Sequence, residues 1–257
     1  MDVYQHFRPE ERDFIDQIVD WKSYVENTYA EKLTDFLDPR EQQIVKTIMG
    51  EHGDVRVAFF GGIENAERKR ALLFPDYYQE TKRDYLVSLF EVHYPSKFVT
   101  IEHRHVLGSL MSLGLKRGKF GDILYNDSTV QFFAADEIAN YLRQELQSIG
   151  KAKVRIEEIP FEQAITVQES WQEVSITASS LRLDTIISTF YHISRQKAQV
   201  LIGQGLAKVN WTVIENSSFE CHEGDTISVR GYNRVKIVSI EGKTKKDKWR
   251  ILANSQK

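Results

Sequence analysis

At 257 residues the chain is long enough for two or three small domains, and it contains no run of eighteen apolar residues that could form a transmembrane helix. Its polar, acid-bearing start, MDVYQHFRPEERDF, is unlike a secretory signal or transit peptide, and a single cysteine, Cys221, excludes an intramolecular disulfide and a cysteine-cluster metal site. The net charge is −3, and the expectation is a cytoplasmic monomer with no membrane attachment and no cofactor.

Residues 4–49 read as helical. Pro9, Glu10 and Glu11 open one helix, with Phe14, Ile15, Ile18, Val19 and Trp21 at helical spacing, and 24–33 extends it or forms a second piece. Asp38-Pro39 breaks the chain and caps a third helix through Ile44, Val45, Ile48 and Met49. Residues 55–60 then predict a strand, Gly61-Gly62 a turn and 70–74 a return strand. The glycine pair lacks the spacing of a phosphate loop, so it reads as a plain turn. Together these make an N-terminal domain over 1–75, helical with short strands and without a catalytic constellation.

Residues 76–165 predict strand, helix, strand and helix with further strands. The alternating stretch 85–94 and a short extended run at 97–101 precede a helix at 106–115. A hairpin at 121–125 and 129–134 turns across Asn126-Asp127. Asp136 caps a periodic helix through Ile138, Tyr141, Leu142, Leu146 and Ile149, and 153–159 is a last strand. That order fits an α/β sandwich with helices on one face of the sheet, as in the RNA-recognition motif. The aromatic signature of that motif is not clearly present, so its base-stacking chemistry does not follow. The loop GLKRGKFGD, 114–122, sets three cations among three glycines. Glycine lets backbone approach a ligand, and Lys116, Arg117 and Lys119 suit phosphate; a flexible surface turn is the alternative. His93, His103 and His105 lack the H-E-x-x-H arrangement and a cysteine partner, and read as surface or RNA-facing groups.

Residues 161–179 join this domain to a C-terminal one, with Trp171 and 174–176 alternating as part of a strand. The module that follows, 180–245, is where the charge turns over. From Arg182 onward 13 Lys and Arg stand against 7 Asp and Glu; before it 21 stand against 30. An acidic body with a basic module is the pattern of a tethered polyanion binder. Leu181, Leu183, Ile186, Ile187, Phe190 and Ile193 mark one helix, and Ser194 N-caps a second over 195–202 that Gly205 closes. Residues 207–210, 226–230 and 232–240 alternate as strands, with a tight turn at Glu223-Gly224-Asp225. The polar residues are ordered too: Arg182, Arg195, Lys197 and Gln199 at the helices, Lys208 and Asn210 on the next strand, then Arg230, Arg234 and Lys236. Cations at a helix start oppose its dipole and call for an anion, which a phosphate backbone supplies; a solvated basic face is the alternative. The basic stretch 242–250 runs into a tail, 246–257, that is either solvated or a salt-sensitive RNA arm.

The order R-L-D, S-R-x-x-A-x-x-L-I-x-x-G-x-A-x-V-N and E-G-D-x-I-x-V-R-G resembles the RNA-binding domain of small-subunit ribosomal protein S-four, the alpha-L motif. It is carried by Arg182, Leu183, Asp184, Ser194, Arg195, Ala198, Leu201, Ile202, Gly205, Val209, Asn210, Glu223, Gly224, Asp225, Ile227, Val229, Arg230 and Gly231. The resemblance implies binding of structured ribosomal or transfer RNA through the two helices. Arg182, Ser194, Arg195, Lys197 and Gln199 form its RNA face, with Asp184 a local orienter. With the glycine turn at 61–62 and the loop at 114–122, nearly the whole chain resembles the YlmH family of bacterial proteins. That resemblance implies an α+β protein with a helical N-terminal part, an RRM-like α/β sandwich and an S-four-type domain. It further implies a non-enzymatic factor that binds rRNA, peptidyl-tRNA and the large ribosomal subunit in the rescue of stalled nascent chains, with a link to cell division. Pseudouridine synthases also carry R-L-D around a catalytic aspartate. Here the triplet lies inside the RNA module, no catalytic domain follows, and no methyltransferase-type glycine loop is visible. An RNA-modifying enzyme is therefore the alternative, and an adaptor linked to division a third reading.

Overall fold

The computed structural model describes residue 7 and residues 11–50, 53–126, 129–166 and 171–256. The chain divides into two units, Met1–Val167 and Gln168–Lys257. No helix among the described residues is long and apolar enough to cross a membrane.

The first unit opens with α1 (Arg12–Thr28), β1 (Lys32–Leu37), α2 (Pro39–Met49), β2 (Val55–Phe60) and β3 (Lys69–Pro75). The expected start of the first helix at Pro9 and Glu10 lies outside the described residues. α1 buries Ile15, Ile18 and Val25 with Ile44, Val45 and Met49 of α2. It stops where Tyr29 takes the left-handed conformation, φ 57°, and donates its N–H to Val25 O. Asp38 caps α2 as expected, in a reciprocal box. Glu41 N–H donates to Asp38 Oδ1 at 2.9 Å, and Asp38 N–H donates to Glu41 Oε2 at 2.6 Å. The three strands form an antiparallel sheet in the order β1-β3-β2.

One expectation fails here: Lys32–Leu37 is a strand, not the end of a helix. Its pairing with β3 shifts register between Leu33 and Phe36, so the buried side chains are Thr34, Phe36 and Leu37 and no alternation appears in the sequence. Thr34 Oγ1 accepts from Ala71 N–H at 2.9 Å inside this irregularity.

A second sheet follows, built from β4 (Val87–His93), α3 (His103–Ser112), β5 (Phe120–Tyr125), β6 (Val130–Ala135) and α4 (Ala139–Glu145). A two-stranded ribbon, β7 (Ser148–Ile149) and β8 (Ala152–Lys153), leads to β9 (Arg155–Ile159). The spatial order is β5-β6-β4-β9, all antiparallel, so a βαββαβ chain path places its first strand between its third and fourth. That is the topology expected of the sandwich. Two details differ. Residues 97–101 form a turn and coil rather than an extended run. Asp136 does not cap the helix with its side chain: the chain enters α4 through a single 3₁₀ turn, and Asp136 Oδ1 accepts from Ser88 Oγ at 2.8 Å. Asp127 of the expected hairpin turn is outside the described residues.

Both faces of this sheet are covered. Phe132 of β6 stacks on Phe90 of β4, over which Arg143 of α4 lies. The next residue, Phe133, points the opposite way. There it meets Phe161, and a Cβ on Gly62 would come within 2.2 Å of its ring. Gln131, on the same side, donates to Glu91 and to Gln163 O and accepts from Ile165 N–H. The face opposite the helices is thus closed by the 61–62 turn and the 161–165 segment, not open for stacked bases.

The second unit contains β10 (Trp171–Ala178), α5 (Leu183–Phe190), α6 (Arg195–Gly203), β11 (Ala207–Val209), β12 (Thr212–Val213), β13 (Thr226–Val229), β14 (Val235–Lys243) and β15 (Trp249–Gln256). Its sheet runs β10-β15-β14-β13-β11-β12. Leu183, Ile186, Ile187, Ala198 and Ile202 of the helix pair close its core with Val209, Ile227, Ile237 and Ile251. The expected basic tail is a correction: from Trp249 it forms β15, hydrogen-bonded to β10 on one side and β14 on the other. Ile251 and Ala253 are buried by that alternation, which the lysines just before it mask in the sequence.

Candidate RNA-binding face

The helix pair of the second unit is organised by one carboxylate. Arg182 precedes α5 in extended conformation, and the start of the helix is tied to the 217–221 loop. Leu183 and Asp184 donate their N–H groups to Phe219 O and Ser217 O. This places Asp184 inward, with its side chain 0% exposed. Its oxygens accept from Arg182 Nε and Nη2 (both 3.2 Å), Arg195 Nε (3.0 Å) and Nη2 (3.3 Å), Gln199 Nε2 (2.9 Å) and Thr185 Oγ1 (3.2 Å). Burial on its own would raise the Asp184 pKa. The hydrogen bonds from Arg182, Gln199 and Arg195 and the charge of Arg195 outweigh it and hold the group well below its ordinary 3.8.

The Arg182 and Arg195 side chains are 39% and 52% exposed. Each engages Asp184 through its Nε–Nη2 edge, which leaves the Nη1 donors directed away from the carboxylate. One buried negative charge therefore holds two half-exposed positive ones, and the group carries a net +1. Ser194 caps α6 as expected, its Oγ accepting from Lys197 N–H at 3.1 Å, and the Lys197 side chain is exposed beside it. Arg182, Ser194, Arg195, Lys197 and Gln199 thus come together on the α5–α6 pair.

The remaining expected residues separate from that group. Lys208 is exposed on β11, Lys236 is exposed on β14, and Arg230 follows β13. Arg234 lies over the Trp211 ring at 5.8 Å. Asn210 has a folding role: at φ 49° it donates from Nδ2 to Asp225 Oδ1 at 2.7 Å and accepts from Thr226 N–H at 2.9 Å. It locks the β11–β12 turn to the turn at 222–225, where Asp225 Oδ2 accepts from His222 N–H.

In the first unit, the loop at 114–122 meets protein. Arg117 Nη1 donates to Phe120 O at 2.6 Å, and burial together with nearby Arg68 lowers its pKa to about 10. Lys119 Nζ donates to Asp35 Oδ1 (2.6 Å) and Glu137 Oε1 (3.0 Å). Cβ atoms on Gly118 and Gly121 would lie 3.0 Å from Asp35 and 2.8 Å from Phe36. The approach that these glycines permit is that of β1, and Lys116 is the one of the three cations that is exposed. His93 Nε2 pairs with Glu157 Oε2 at 3.0 Å. Among the described residues no group of three His, Cys, Asp or Glu could hold a metal ion.

Sequence reasoning passed over the turn between α5 and α6. There Tyr191 packs on Tyr232, ring centroids 4.6 Å apart, and His192 adopts φ 51°. The available signal was a Tyr-His pair where a helix C-terminus favours glycine.

Three family models match the chain: "YlmH, N-terminal" over residues 10–78, "Putative RNA-binding domain in YlmH" over 80–163 and "S4 domain" over 181–227. The chain is 46% identical over 256 residues to "Ribosome-associated protein quality control protein P2" of Bacillus subtilis (strain 168), covering 100% of this chain and 99% of that protein. The chain belongs to the YlmH family. A solved structure, "Cell division protein ylmH from Streptococcus pneumoniae", is similar at 34% identity and a TM-score of 0.55, over 63% of this chain and 99% of that one. The first two models divide the first unit at 78–80, and the S4 match spans the Asp184 group.

Proposed function

We propose that this YlmH-family chain is a cytoplasmic, monomeric, non-enzymatic factor that binds rRNA and peptidyl-tRNA on the large ribosomal subunit, in quality control of stalled nascent chains. The observation that carries the RNA reading is the pair Arg182 and Arg195, held by the buried Asp184 and half-exposed on an S4-type helix pair. Pre-set guanidiniums lose little side-chain freedom on meeting phosphate, and the Ser194-capped start of α6 adds backbone donors. Binding of this kind acts by stabilising one arrangement of its RNA and needs no chemistry. Asp184 is sealed and accepts six hydrogen bonds, which suits an orienter and not a nucleophile. The name of the Bacillus relative supports the ribosomal setting, and that of the streptococcal one supports a link with cell division as a second reading.

The test is co-sedimentation with 70S, 50S and 30S particles at two salt concentrations. Wild type should travel with the large subunit and dissociate as salt rises. Arg182→Ala/Arg195→Ala should bind more weakly and with a shallower salt dependence, by roughly 1.5 in the log–log slope. Wild type that stays in the supernatant at low salt would sink the proposal.

A further inference from the structure

The second unit has a cavity of about 420 Å³ at the turn between α5 and α6, lined by Phe190, Tyr191, His192, Tyr232, Asn233 and Ser255 among others. We propose that it takes one unpaired nucleobase of the bound RNA. The proposal rests on the RNA-binding reading of this same module and extends it from phosphate to base.

Three observations point to that occupant. The Tyr191 and Tyr232 rings, tilted by 37°, form an aromatic surface, and Tyr191 is fixed because its hydroxyl donates to Asn233 O at 2.6 Å. A tyrosine ring face on the cavity wall can stack any base, because every base has a π-face. The rim then supplies what a base edge needs: the His192 imidazole, the Asn233 amide and the Ser255 hydroxyl offer both donors and acceptors. An aliphatic partner would use none of them.

Position is the second observation. His192 stands three residues before Arg195, a span of at most about 10 Å of chain, so an RNA strand whose phosphates meet the start of α6 passes the cavity.

The third is backbone conformation. His192 holds φ 51° at the end of α5, in a turn closed by Ile193 N–H to Ser188 O (3.2 Å) and Ser188 Oγ to Ile193 O (2.8 Å). Glycine would sit there without strain, so an exposed imidazole at this point is present for its side chain rather than for the turn.

The experiment is 254-nm crosslinking of the full chain to 70S ribosomes, with the adducts mapped by mass spectrometry. Affinity is measured alongside for Tyr232→Ala, His192→Gly and, as a control outside the module, the exposed aromatic variant Phe98→Ala. Adducts are expected on Tyr191, His192 or Tyr232. Tyr232→Ala should weaken binding by about 5- to 150-fold, and His192→Gly, which relieves the turn and so folds, should weaken it measurably while Phe98→Ala does not. Salt-sensitive ribosome binding with adducts only elsewhere, or with His192→Gly and a folded Tyr232→Ala at wild-type affinity, overturns the base pocket and leaves the RNA-binding reading standing. Failure of wild type to bind ribosomes overturns both.

Discussion

Asp184 remains charged without touching solvent because Arg182, Arg195 and Gln199 surround it with donors. Its pKa is lowered on folding, so its contribution to stability is fully present above the unfolded value near 3.8 and is lost as pH falls toward the folded value. Asp184→Asn removes the charge at constant shape and should destabilise the second unit by about 2 kcal/mol at pH 7, the scale of hydrogen bonds to a charged group. Thermal unfolding of both proteins across pH 7 to 2 checks this: the gap should be constant above about pH 5 and narrow progressively as pH falls below 3.8, and a gap of constant size throughout would mean that the carboxylate charge is not what matters. The identities of these residues were legible from the R-L-D and S-R-x-x-A patterns. That Arg182 and Arg195, thirteen positions apart, share one acceptor was not, because it depends on how α5 and α6 pack.

At the scale of elements, local chemistry was a reliable guide wherever the signal was local. Asp38-Pro39 predicted the start of α2, and the capping box is there. Asp38→Ala should cost about 1 kcal/mol, read as faster amide exchange throughout α2; unchanged exchange would show that packing of Ile44, Val45 and Met49 alone holds the helix. Asp136 illustrates the opposite case. It looks like the same cap, but Ser88 Oγ from a strand forty-eight residues earlier donates to it. Likewise β1 was unreadable because its register shift against β3 destroys the period-two pattern, and β15 because its pairing is set by strands distant in sequence, 85 residues away at Trp171↔Gln256 on one side and 20 away at Val235↔Ser255 on the other.

Within the first unit, two sheets that the family models treat separately are joined by charged groups. Arg70, its side chain 5% exposed, donates from Nε to Thr34 O, from Nη1 to Leu86 O and to Glu137 Oε2, and from Nη2 to Glu137 Oε1. Lys119 bridges Asp35 and Glu137, and Asp122 accepts from the N–H groups of Glu67 and Arg68. Arg70→Met takes the guanidinium donor from Thr34 O, leaves Leu86 O with the Asp136 N–H, and deprives the Glu137 carboxylate of its buried partner, which should cost about 3 kcal/mol. Native-state amide exchange should show β3 and β6 losing protection together by that amount. Loss confined to β3 would mean that the two sheets open independently.

The sequence by itself determined the class of the molecule: an α+β chain with a βαββαβ middle domain and a basic module whose caps, core positions and cations follow one order. These are short-range properties, in which spacing of three to four or of two records which face is buried. Only the tertiary structure decided which cations are engaged within the protein and which remain exposed. Lys119 and Arg117 look like phosphate ligands in sequence, yet Asp35, Glu137 and the 120–121 carbonyls take their donors. Arg182 and Arg195 keep half their surface because their shared acceptor lies beneath them. A charge is defined by its residue, but its availability is defined by the neighbours that folding brings to it.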